Sequence, residues 1–249
     1  MADATDGRSW AGRIAVALAV LAVLLLIIAG PGVRAEMWTF GTGFTIMRAA
    51  AWAGILAAVV GAAAIVLGRG QARAVVMGVM AIILGLTAAA VPWSWQRAAR
   101  AVPSIHDIST DLENPPAFQA VLPLRADAPN PAEYGGPDIA RQQREAYPSL
   151  VPLELDAAPA AAFDLALETA RGMGWEIVAA DADAHTIEAT DETKWFGFKD
   201  DVIVRVTPAA AGSRIDVRSV SRIGRGDAGT NARRIRTYLE RLEDAAGAG

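Results

Sequence analysis

Three stretches of the chain, 11–30, 49–68 and 74–93, run apolar for about twenty residues, and the single charged side chain in them is Arg13 at the start of the first. A helix needs roughly 20 such residues to cross about 30 Å of hydrocarbon. None of the three has a polar face, so burial in a soluble bundle does not account for them. About three transmembrane helices are therefore expected within 1–97. Gly54, Gly61 and Gly68 recur at every seventh position, as do Gly78 and Gly85. Seven residues is close to two helical turns, and small residues on one face let helix backbones approach closely. Spans two and three are expected to pair as a tight hairpin. The first segment has a second reading: Arg13, its apolar heart and Val33-Arg34-Ala35 also fit a signal peptide cleaved before Glu36, although Asp3 and Asp6 in the leading region count against it.

Beyond residue 97 the pattern changes. Residues 98–150 are punctuated by Pro115-Pro116, Pro129-Asn130-Pro131 and Gly135-Gly136-Pro137, and read as an extended linker or arm with one short helix over Asp138–Ala146. Regular structure is expected over 151–245. A short strand over Val151–Leu155 precedes a helix capped by Asp156, with Phe163, Ala166, Leu167 and Ala170 on one face. Alternation then marks strands at Trp175, Ile177 and Ala179, at Ile187 and Ala189, at Val202, Val204 and Val206, and at Ile215, Val217 and Ser219. A last helix places Ala232, Ile235, Leu239 and Leu242 together. The expected fold class is α+β: transmembrane helices followed by a two-layer antiparallel sheet-and-helix sandwich.

Charge sharpens this division. Residues 1–100 hold eight Arg against three acids, a balance of 8 − 3 = +5, whereas residues 101–249 hold 15 basic and 24 acidic residues, a balance of −9. An acidic soluble part argues against nucleic acid as a partner, since phosphate binding needs a basic footprint. There is no Cys, which excludes disulfides and thiolate chemistry. Arg69 and Arg73 in the short turn between spans two and three favour the cytoplasm, as do Arg8 and Arg13. The expected place is the bacterial inner (cell) membrane, with the C-terminal domain on the periplasmic, extracytoplasmic side. Arg97 and Arg100 count the other way. Trp38, Phe40, Phe44, Trp93 and Trp95 have the character of interfacial anchors.

Three ordered motifs carry a resemblance. Ile105-His-Asp-Ile-Ser-Thr-Asp-Leu-Glu-Asn-Pro-Pro-Ala-Phe118, Trp195-Phe-Gly-Phe-Lys-Asp-Asp-Val-Ile-Val-Arg205, and the run from Asp216 to Asn231 followed by Arg234-Ile235-Arg236 resemble the opening, central and closing motifs of the domain of unknown function family 1499. The likeness spans about 102–242. It implies a domain often placed behind membrane segments in bacteria and plastids, and it carries no established activity.

Candidate chemistry is sparse. His106, Asp107, Asp111 and Glu113 are ligand types for a divalent cation; the alternative is an arm stapled to the domain by turn-capping Asp and Asn. Gly224–Gly229 fits G-x-G-x-x-G, but the chain ends with the helix that follows, so no dinucleotide site is expected. An anion could still meet that helix start beside Arg222 and Arg225. Asp201, Arg205, Arg218, Arg222, Asp227 and Asn231 are candidates for binding a carboxylate or phosphate; cross-strand ion pairing is the plainer account of the charges. Alternation would put Phe196 and Phe198 on one strand face, so Trp195, Phe196 and Phe198 pack in a core or form an aromatic edge that touches lipid or a partner. Ser219 and Ser221 have no nearby His, so nucleophilic catalysis is not indicated, and no cofactor is expected. The reading that results is a membrane-anchored envelope protein whose domain binds or scaffolds a partner in or on the bilayer. The alternatives are a binder of a small anionic or lipidic ligand and a metal-dependent hydrolase.

Overall fold

The computed structural model describes residues 9–247, so Asp3, Asp6 and Arg8 lie outside the described range. Two compact units result. One holds the described residues up to Arg97 together with Lys194–Gly197; the other holds Ala98–Thr193 and the described residues from Phe198 onward.

The helical unit is built on α1 (Ser9–Arg34), α2 (Phe40–Leu67) and α3 (Ala72–Arg100). All three are long and apolar enough to cross a membrane. Each extends past its apolar stretch, because a helix does not stop where its hydrophobicity does. Thr39 caps α2 by accepting the Thr42 N–H, and the Gly68 N–H returns to Ala64 O at the other end. The bundle is lined by small residues and surfaced by large ones. Ala15, Ala19, Ala57 and Ala81 are fully buried, whereas Leu24, Trp52 and Ile83 are more than half exposed. In water that surface would carry a penalty of about 25 cal/mol per Å²; in hydrocarbon it is the natural exterior. The glycines of α2 and α3 meet each other. A Cβ on Gly61 would stand 2.7 Å from Gly78 O, and one on Gly54 would fall on the carbonyl of Gly85. Backbone-to-backbone packing of this kind replaces the hydrophobic drive that lipid cannot supply.

The second unit is an α+β domain. Its sheet runs β1 (Asp107–Ser109), β6 (Gly212–Ser221), β5 (Lys199–Ala209), β4 (Thr186–Glu192), β3 (Glu176–Asp181), with every described pairing antiparallel. The short β2 (Leu153–Leu155) also pairs with β6. Strands β1 and β2 share one edge of β6, opposite Arg218–Val220 and Ser213–Ile215 respectively. Thr110 fills the gap between them, donating its N–H to Val217 O and accepting the Val217 N–H on its hydroxyl. One sheet face carries Ile187, Ala189, Val202, Val204, Val206, Ile215 and Val217, covered by α5 (Pro159–Gly172) and α6 (Thr230–Gly247) through Phe163, Ala166, Ala170, Ala232, Ile235 and Leu242. Trp175 stacks on Tyr238 at 4.9 Å, and the Tyr238 hydroxyl donates to Ala166 O, tying the two helices together.

Local starts differ from sequence expectation in three places. Asp156 does not cap α5. Ala158 is extended before Pro159, whose missing N–H removes one of the donors a cap would satisfy. Strand β1 lies inside the segment read as irregular; three residues among prolines show no period. Lys194–Phe196 form a turn between β4 and β5 rather than strand, so alternation does not apply there. Helix α4 (Pro137–Ala146) follows the sequence reading, with Pro137 in its first turn.

Candidate functional site

Strand alternation sends a second set of side chains to the other sheet face: Glu188 and Thr190 from β4, Asp201, Ile203 and Arg205 from β5, Asp216, Arg218 and Val220 from β6. This face is covered by residues 111–134, a strap that includes a short 3-10 helix, Leu122–Arg125. Phe118 and Val121 of the strap pack on Ile203 and Val220 as a small second core. Irregular chain over a sheet leaves backbone groups without ladder partners, and burying them unpaired is costly. Charged side chains from the sheet meet that need.

Arg218 is the centre of this arrangement. Its Nε and Nη2 donate to the two carboxylate oxygens of Asp107 at 2.9 and 2.8 Å. Its Nη1 reaches Pro116 O at 3.0 Å and its Nη2 reaches Ala132 O at 2.7 Å. The guanidinium lies 5.1 Å from the Phe118 ring centre and 5.4 Å from that of Tyr134. Burial, and next the Asp107 charge, push the Tyr134 hydroxyl up to about 12. Asp201 holds two guanidinium groups, Arg222 through both oxygens at 3.0 and 2.7 Å and Arg125 at 2.8 Å. Arg222 also donates to Leu124 O, and Arg125 to Asn130 O and Pro131 O. Burial lowers the Arg125 pKa, Asp201 opposes that, and Arg222 and Arg218 reinforce it. The Glu188 carboxylate accepts three successive N–H groups, from Gln119, Ala120 and Val121, at 2.8, 3.0 and 2.9 Å. Asn130 completes the clasp, its amide donating to Ser221 O and Gly224 O.

A second cluster lies further along the same face. Arg205 reaches Asp111, Asp216 and Asn114 O, and Arg214 reaches Asp111 and Asp216. Asp111 also caps the turn through Glu113 N–H and Asn114 N–H. Burial pushes the Asp111 carboxyl up, but those two N–H groups and then Arg214 and Arg205 outweigh it and leave it below the usual carboxylate value. Across both clusters five arginines (125, 205, 214, 218, 222) meet five carboxylates (107, 111, 188, 201, 216), so the charge is 5 − 5 = 0. An anion entering here would find no net attraction and would have to displace protein acceptors.

On the helix-covered face, Asn231 links β6 to α6. Its side chain accepts from Ser219 and Arg234 and donates to Ser221 and to His106 O. Arg234 pairs with Asp191 at 2.7 Å and Asp200 at 2.6 Å. Asp227 accepts the N–H groups of Gly229 and Asn231 at 2.8 and 2.6 Å. The start of α6 is thus filled by the protein's own carboxylate and not left open to an anion. Burial raises the Asp227 pKa, and its two N–H partners moderate that. His106, Asp107 and Asp111 do not converge: His106 Nδ1 lies 3.3 Å from Arg225 O, while Asp107 and Asp111 serve different arginines. Among the described residues no group of three or more His, Asp or Glu is arranged to hold a metal ion.

Sequence reading missed Arg125, Asn130 and Glu188. Arg125 and Asn130 sit in the segment taken for a linker. Glu188 carried a signal: it stands between Ile187 and Ala189, whose alternation sends it to the opposite face. The three aromatics separate. Trp195 and Phe196 belong to the helical unit, whereas Phe198 closes the β4–β5 hairpin, its N–H donating to the Thr193 hydroxyl and its carbonyl accepting the Thr193 N–H.

The fold and the clasped face define an α+β domain that follows three helices able to cross a membrane. The family described as "Protein of unknown function (DUF1499)" matches residues 107–242, more than half of the chain, and the chain belongs to that family. The matched region runs from β1 through the strap and the whole sheet into α6, so the clasp is part of the family's domain. A comparison with curated proteins found no match.

Proposed function

We propose that the protein is a membrane-anchored module of the bacterial cell envelope whose C-terminal domain lies on the extracytoplasmic side and binds or scaffolds a protein partner. The observation that carries this reading is the charge-balanced clasp. It engages Arg205, Arg218, Arg222 and Asp201 with protein groups, and Asp227 and Asn231 are engaged likewise at the start of α6, so their role is to rigidify rather than to receive a ligand. A rigid strap then presents its outer side chains in a fixed arrangement. Leu122 and Leu124 are 44% and 55% exposed on the 3-10 turn, whose backbone is pinned by Glu188 at Val121 N–H and by Arg222 at Leu124 O. Fixed apolar side chains lose little entropy on binding, which favours a protein contact. Sidedness is supported by Arg69 in the short connection between α2 and α3 and by Arg73 in the first turn of α3.

The test is the double substitution Leu122→Asp/Leu124→Asp in the full chain. The expected result is loss of the co-purifying partner with unchanged protection of the strap amides. Retention of the partner at wild-type stoichiometry would overturn the assignment of this surface.

A further inference from the structure

The helical unit includes four residues that are distant in sequence, Lys194–Gly197, and their surroundings identify what they touch. Phe196 is 2% exposed, its ring 5.2 Å from Phe44 and 5.9 Å from Trp95. The Trp195 ring meets Trp95 edge-on at 4.9 Å, and its backbone and indole leave no room for a Cβ on Gly30, which would stand 2.6 Å from Trp195 O. Arg34 Nη1 donates to Lys194 O at 3.0 Å. Gly30 and Arg34 belong to the last turns of α1, Phe44 to the first turns of α2, and Trp95 to the last turns of α3. The tetrapeptide therefore sits on a single end of the bundle.

The depth of that end follows from helix geometry. The apolar stretch 74–93 spans about 30 Å at 1.5 Å per residue, the thickness of the hydrocarbon core. Trp93 closes it, and Trp95 lies about 3 Å further along the axis. Trp195, in contact with Trp95, is within a few ångströms of the same boundary. Trp38 and Phe40 lie at this end as well, and such aromatics gather at the level of lipid headgroups. Phe196 points into the bundle, Trp195 is partly exposed and Lys194 is exposed. Lys194 is one of only two lysines in a chain with 21 arginines, for a total of 23 basic residues. A lysine beside an interfacial tryptophan extends its stem along apolar surface and its ammonium toward phosphate.

We propose that Lys194–Gly197 is an interfacial membrane anchor: Phe196 clamps it to the helices, while Trp195 and Lys194 contact the headgroup–acyl boundary of the bilayer. The surface is continuous with the lipid-facing exterior of α1–α3, and it is supplied by a segment far from them in sequence. This goes beyond the scaffolding reading and does not depend on it.

The absence of native cysteine makes the test direct. The full chain carrying Lys194→Cys is labelled with an environment-sensitive nitrobenzoxadiazole dye and reconstituted in phosphatidylcholine–phosphatidylglycerol vesicles. Asp183→Cys, on the exposed β3–β4 turn, is the reference. The expected result is blue-shifted emission at position 194, quenched more strongly by lipids with a nitroxide near the headgroup than by lipids with one near the chain end, and several-fold more than at position 183. Emission and quenching equal to those at position 183 would overturn the proposal. So would blue-shifted emission without lipid quenching, which would mean a protein neighbour, and so would strongest quenching from the chain end.

Discussion

Replacing Arg218 with Met should release the strap. The side chain is 2% exposed and makes four hydrogen bonds, two to Asp107 and one each to Pro116 O and Ala132 O. Methionine fills much of the volume but supplies none of the donors. Asp107, itself buried, keeps a charge with no partner, and two strap carbonyls lose theirs. Removing one member of a buried ion pair costs about 3–5 kcal/mol. At 1.4 kcal/mol per tenfold, the strap-opening equilibrium should rise by roughly two to nearly four orders of magnitude. Hydrogen exchange of the full chain in detergent or lipid reads this locally, because the N–H groups of Gln119, Ala120 and Val121 donate to Glu188 of the sheet beneath the strap. The double substitution Asp107→Leu/Arg218→Met removes both charges and should recover a large part of the loss, since an ion pair replaced by apolar groups of similar volume is often neutral. Strap exchange unchanged in Arg218→Met would refute the clasp. A double variant as unprotected as the single one would show that the isolated charge is not the cause.

Other expectations follow from the same geometry. Glu188→Gln keeps the shape but replaces a carboxylate that serves three amides, and should cost about 2–3 kcal/mol, seen as faster exchange at residues 119–121. Gly61→Leu would force α2 from the Gly78 carbonyl and should cost about 1–3 kcal/mol, read as a lower melting temperature in detergent, with Ala less harmful than Leu. The two perturbed carboxylates should act oppositely on stability. Asp111 has a lowered folded pKa, so its contribution is present above the unfolded value of about 3.9 and disappears as pH falls through the folded one; Asp111→Asn should flatten that acid limb. Asp227 has a raised folded pKa, so the folded state binds the extra proton and stability declines as pH rises through the interval above about 3.9. Carboxyl chemical shifts followed from pH 7 down to pH 2 would separate the two.

Much of the architecture was legible because period and length are local signals. The three apolar stretches, the 3.6-residue face of α5 and the alternation of β4, β5 and β6 each identify their element without reference to the rest of the chain. The heptad glycines likewise announced the close approach of α2 and α3. The candidate site was legible as residues but not as an arrangement. Arg205, Arg218 and Arg222 stand out by their charges on or beside strands, and ion pairs with carboxylates are readable from that, yet they also hold the carbonyls of Asn114, Pro116 and Leu124, and a carbonyl has no sequence signature. The strap looked like a linker because its prolines suppress regular structure, while its order is imposed by the sheet beneath it. The tetrapeptide at 194–197 illustrates the same limit: alternation assigned Phe196 and Phe198 to one face, whereas a turn sends Phe196 to the helices.

The most direct test of the central claim is native mass spectrometry of the full chain, extracted gently from its own membrane with lipids and partners retained. The proposed role predicts a protein partner at fixed stoichiometry that disappears with Leu122→Asp/Leu124→Asp. A small molecule or metal ion retained at fixed stoichiometry, with no protein partner, would contradict it and return attention to the arginine cluster and His106.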